Sequence, residues 1–136
     1  MLSSSRNSQE DVIREAADIL KKEGYEVARD ISVRSGHGGI VTRVDLMGKS
    51  PYGVIVVEAK SATTSGAELS PFWQAAVTLT QQPTTPTSVV LVTGVAPSDT
   101  LKETARQIKV NIIVKKDLKD QLHQIVEHQR KGEQSD

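Results

Sequence analysis

Two acids and a lysine sit in a run that is mostly apolar or turn-forming. They are Asp45, Glu58 and Lys60, within R-V-D-L-M-G-K-S-P-Y-G-V-I-V-V-E-A-K from Arg43 to Lys60. Val54 to Val57 is an unbroken β-branched run, which reads as a strand buried on both faces. Continuing such a strand into Glu58 costs on the order of several kcal/mol unless the carboxylate is paired or bound to a metal. Ser50-Pro51-Tyr52-Gly53 has Pro second and Gly fourth, a type I turn signature. Closing a hairpin there predicts that Lys49 faces Val54, Met47 faces Val56 and Asp45 faces Glu58. Opposed residues have Cβ atoms about 4.5–5.5 Å apart, and Glu58 shares a face with Lys60. Two carboxylates that close repel unless a divalent cation lies between them. Hard cations such as Mg²⁺ take oxygen ligands and keep several waters. The ion acidifies a bound water, and a neighbouring lysine orients or deprotonates it. That equipment suits attack on a phosphodiester. The competing reading is an ion-pair network at a sheet end, an expensive thing to keep for stability alone.

These residues need elements to hold them. Ser8 is placed to N-cap a helix whose inward stripe is Val12, Ile13, Ala16, Ala17 and Leu20, with Gly24 ending it. Tyr25 to Val33 alternates as a first strand. The loop R-S-G-H-G-G, Arg34 to Gly39, lets backbone approach a ligand closely, and Arg34 and His37 can meet phosphates there. Ile40 to Gly48 is a second strand, with Arg43 two positions before Asp45, set either to pair with a carboxylate or to touch a phosphate. Lys49 follows it as a further candidate nucleic-acid contact. Ser70-Pro71 opens a helix with Phe72, Ala76 and Leu79 inward and Trp73 partly buried or stacked on a base. Val89 to Thr93 is a buried strand, Ser98 caps a helix from Asp99 to about Lys109, Asn111 to Val114 is a strand, and Asp117 opens a last helix to about Glu127. Strand, helix, strand at this spacing implies a right-handed parallel crossover.

Asp45 on the first arm of a hairpin, then Glu58-Ala59-Lys60 at the end of an apolar strand, resembles the PD-(D/E)xK nuclease superfamily, which includes restriction endonucleases and archaeal Holliday junction resolvases. Val44 stands where the family's name has Pro. The G-G-I ending at Ile40 resembles the G-G-I of Mrr-type restriction nucleases, although here Val41 follows and the acid comes only at Asp45. The stretch from Val90 to Leu118 resembles the C-terminal half of Mrr-like domains. The resemblance implies an α/β, restriction endonuclease-like fold: a central mixed five-stranded sheet flanked by helices, in the order αβββαβαβα. It implies a divalent-metal-dependent DNA endonuclease in which Asp45, Glu58 and the Ala59 carbonyl ligate Mg²⁺, for which Mn²⁺ substitutes, and Lys60 serves the attacking water. It further implies an acid in the first helix near the metal, for which Glu10 is the candidate, and a glutamine in the helix after the E-x-K strand, Gln74. The Tyr of the exonuclease branch is replaced by Thr78. The alternative is a nuclease-fold module that binds DNA or protein without activity.

The length of 136 residues fits one domain, expected over 8–128, with polar tails at 1–7 and 129–136. Lysine plus arginine balance aspartate plus glutamate at 17 each, so nucleic-acid binding would rest on a local patch rather than overall charge. The chain has no cysteine, which removes disulfides and thiolate metal sites. No apolar run approaches the roughly 20 residues of a membrane span, and no signal-like core opens the chain. A cytoplasmic protein acting on duplex or branched DNA, as a homodimer and away from membranes, is the expectation.

Overall fold

The computed structural model describes the backbone of residues 4–35, 40–60 and 86–132, and the side chains of 9–32, 43–60 and 86–132. The elements are α1 (Ser4–Lys22), β1 (Glu26–Ser35), β2 (Ile40–Ser50), β3 (Gly53–Lys60), β4 (Thr87–Thr93), α2 (Asp99–Gln107), β5 (Val110–Val114), a 3₁₀ turn (Lys115–Asp117) and α3 (Leu118–Arg130). The strands form one sheet in the order β1-β2-β3-β4-β5. β1, β2 and β3 pair antiparallel, while β3, β4 and β5 pair parallel. The mixed five-stranded sheet expected from the sequence is therefore present. The helix expected from Ser70 falls outside the described residues.

Each helix is laid on the sheet by its apolar stripe. Val12, Ile13, Ala16, Ala17 and Leu20 of α1 pack with Leu118, Leu122 and Val126 of α3 over Leu46, Ile55, Val57, Val90 and Val92. On the other face Leu101 and Ala105 of α2 cover Val44, Met47, Val56, Val89 and Leu91. Two apolar layers thus enclose the sheet, the usual solution for an α/β domain. Ser98 caps α2 as expected, its hydroxyl accepting from the Leu101 N–H at 3.1 Å. Ser8 does not cap α1, because the helix already begins at Ser4 and contains it.

The turn holds the predicted register. Lys49 pairs with Val54 and Met47 with Val56. A Cβ on Gly53 would lie 2.5 Å from the Pro86 carbonyl oxygen, so only glycine fits. At this end of the sheet the chain is stitched by Gln129, which is buried. It accepts from the Tyr25 hydroxyl at 2.7 Å and donates to the Val54 carbonyl at 2.8 Å and to Ser88 Oγ at 3.1 Å. The expected tail from 129 is corrected here: Gln129 and Arg130 belong to α3, and Arg130 binds Glu23 at 2.8 Å.

Candidate metal centre

The β2–β3 pairing stops at Leu46 and Val57, while β1 and β2 continue together to Ser35 and Ile40. Beyond that point β3 pairs with β4 alone, through Glu58–Leu91, Ala59–Val92 and Lys60–Thr93. The sheet forks at Asp45.

A change in the backbone marks the fork. Within the β1–β2 ladder the one position left unpaired is Asp30 opposite Asp45, and Asp30 has φ of 53°. A left-handed residue is uncommon in a strand, and Asp tolerates it better than most. Side-chain alternation reverses across it. Val27 packs with the α1 layer but Ile31 with the α2 layer, and likewise Leu46 with the α1 layer but Val44 with the α2 layer. Residues two apart on one strand normally share a face.

Across the fork the two acids hold each other's strand. The Asp45 N–H donates to Glu58 Oε1 at 3.0 Å, and the Ala59 N–H donates to Asp45 Oδ2 at 2.8 Å. Carboxylates replace the missing ladder bonds, which keeps these backbone donors satisfied. Lys60 Nζ stands 3.9 Å from Glu58 Oε2. Asp45, Glu58 and Lys60 are thus brought together.

The electrostatics are those of an anionic pair short of countercharge. Burial first, and then the nearby Asp45, push the Glu58 carboxyl up to about 8, with Lys60 opposing the shift. The Glu58 side chain is only 12% exposed. Near neutral pH the pair therefore retains a proton in the absence of another cation. A site that must keep a proton to relieve repulsion can exchange it for a divalent ion, so these residues fit a metal. Each carboxylate commits one oxygen to a backbone N–H, and cation binding would fall to the second oxygen of each. Among the described residues no group of three or more Asp, Glu or His side chains gathers at metal-ligand spacing. Two carboxylates are still compatible with Mg²⁺, which commonly takes one or two and keeps waters.

The Glu10 carboxylate pairs with Arg29 on the exposed face of α1. Among the described side chains of α1, Gln9 reaches the centre, its Nε2 donating to the Ala59 carbonyl at 3.1 Å. Gln9 extends the stripe Val12, Ile13, Ala16, Ala17, Leu20 back by one step, and that helical spacing is the signal that could have found it. Arg43 pairs with Asp30 at 3.1 Å, both well exposed. Lys49 lies at the turn end of β2, four residues along the strand from Asp45, or about 13 Å. His37 and Gln74 lie outside the described residues, as does the side chain of Arg34.

No protein-family model matches the chain, and no curated protein matches it by sequence. Solved structures do resemble it. Protein VC1899 from Vibrio cholerae aligns with a TM-score of 0.62 at 13% identity, over 92% of this chain and 33% of that one. A protein of unknown function, AF1548, aligns at 0.59 and 14%, over 76% of this chain and 58% of that one. A repair endonuclease from Pyrococcus abyssi aligns at 0.59 and 17%, over 84% of this chain and 47% of that one. The chain spans less than two thirds of each of these proteins. At such identities the likeness is one of fold, and the fold is α/β and restriction endonuclease-like.

Proposed function

We propose that the chain is a divalent-metal-dependent DNA endonuclease. The observation that carries this reading is the reciprocal Asp45–Glu58 arrangement at the fork, with Lys60 beside it. Asp45 and Glu58 would hold Mg²⁺ or Mn²⁺, with the Ala59 carbonyl as third protein ligand. When bound, the ion lowers the pKa of its water and polarises the phosphate. Asp45 and Glu58 would present their free oxygens in a set direction, because each accepts a backbone N–H from the opposite strand. Glu58, its carboxyl raised by burial and by Asp45, would give up its proton on holding a cation. Lys60, with Nζ 3.9 Å from Glu58 Oε2, would orient a water and offset charge that develops on the phosphate. Arg34, His37, Arg43 and Lys49 are proposed contacts to the DNA backbone, and Gln74 a proposed contributor at the site. Cutting both strands of a duplex or branched substrate would need two such centres, which favours a homodimer. A cytoplasmic setting belongs to the same proposal.

The test is a cleavage panel of plasmid, single-stranded and four-way-junction DNA in Mg²⁺ and in Mn²⁺. The folded wild type cuts at least one substrate, and Glu58→Ala reduces the rate by at least ~100-fold. No cutting by folded protein in either ion overturns catalysis and leaves a nuclease-fold binding module as the reading.

A further inference from the structure

We propose that Gln9 is a positioning residue of the metal centre, its side-chain amide fixing the Ala59 carbonyl where β2 has left β3. The inference rests on the proposed metal site and says which part of α1 serves it.

The strand geometry dictates which way this carbonyl points. In an extended strand the N–H and C=O of one residue face the same side. Val54 and Lys60 of β3 face β4, since Val54 N–H donates to the Pro86 carbonyl and the Lys60 carbonyl accepts from Gly94 N–H. Ala59, one residue off that parity, faces β2, and its N–H reaches Asp45 there at 2.8 Å. Its carbonyl has no ladder partner on β2, because that pairing ends at Val57. Ala59 is 3% exposed, so water is a poor substitute. A buried carbonyl without a donor is costly. Gln9 supplies the donor at 3.1 Å.

A carbonyl oxygen has two lone pairs. One taken by Gln9 leaves the other for a cation, now held in one direction. Groups that orient a ligand atom in this way commonly change metal affinity by about 10–100-fold when removed. Gln9 is also neutral. It keeps the acids of the centre at two, so that one divalent ion together with Lys60 leaves a net positive charge, which suits a phosphodiester. A carboxylate in its place would cancel that charge and could not donate to the carbonyl.

Gln9→Met keeps length and helix propensity and removes the donor; Gln9→Ala is the second variant should methionine repack. The folded proteins are titrated with Mn²⁺ alone, beside wild type and Asp45→Asn, and the carbonyl ¹³C resonance of Ala59 is followed without metal. The expected result is Mn²⁺ affinity weakened about 10-fold or more in both Gln9 variants, a displaced Ala59 carbonyl resonance, and an otherwise native amide spectrum. Wild-type affinity in a folded Gln9 variant, with Asp45→Asn impaired, overturns the role of Gln9 and leaves the metal site standing. Absence of Mn²⁺ binding by wild type removes both.

Discussion

Glu58 is where sequence and structure meet most directly. A buried β-branched run that continues into an acid announces an unusual carboxyl from the sequence alone, and hairpin arithmetic supplies Asp45 as its neighbour. The pattern could not show how the two coexist: each accepts an N–H from the other's strand. The consequence for stability has a definite sign. The Glu58 carboxyl lies at about 8, above the usual carboxylate range, so the folded state binds its proton more tightly than the unfolded chain does. Glu58's contribution to metal-free stability is therefore fully present below the ordinary carboxyl range, falls as pH rises from there, and is lost once pH passes about 8. Glu58→Gln, neutral throughout, flattens that slope. Urea unfolding from pH 5 to 9 checks this, and equal slopes in the two proteins would contradict it. Gln9 is not singled out by the sequence reading, although it continues the α1 stripe. Glu10 has the acidic chemistry expected at the site, yet the helix turns it toward Arg29.

At the scale of elements, the sequence carried the helices and strands well wherever a period could be counted. The α1 stripe is buried as expected, and Lys49–Val54 and Met47–Val56 pair as expected. The fork was not legible. A period of two tells which residues share a face only while the strand keeps its twist and register, and the single left-handed residue Asp30 reverses the faces of Ile31 relative to Val27. No local signal in A-R-D-I-S distinguishes that from a regular strand. If the reversal depends on backbone at Asp30, its substitutions must sort by φ preference. Asp30→Gly should be neutral to within about 0.5 kcal/mol, since glycine accepts this φ and the lost Arg43 pair is exposed. Asp30→Val, β-branched, should destabilise by about 1–2 kcal/mol relative to it. Thermal unfolding of the two variants measures the difference. Equal stability would mean that the backbone at this position is not constrained.

For the whole molecule, the layers explain why the centre sits where it does. Helices α1 and α3 cover one face of the sheet and α2 covers the other, and the Gln129 network ties α3 to the turn at the end remote from the fork. One end is closed by the hydrogen bonds of the buried Gln129. The other opens where β2 departs, and it holds the two acids and the lysine. The fold class could be argued from the order of elements alone; the division of labour between the two ends could not, because it depends on contacts between residues far apart in the chain. Under the proposed function, the fork takes a divalent ion in exchange for a proton. Calorimetric titration with Mn²⁺ near pH 7, in two buffers of different ionisation enthalpy, tests it most directly. Wild type should bind with release of protons, about one per site at most, and Asp45→Asn and Glu58→Gln should lose the binding while remaining folded. Binding of Mn²⁺ undiminished in both variants, or no binding by folded wild type, would contradict the account.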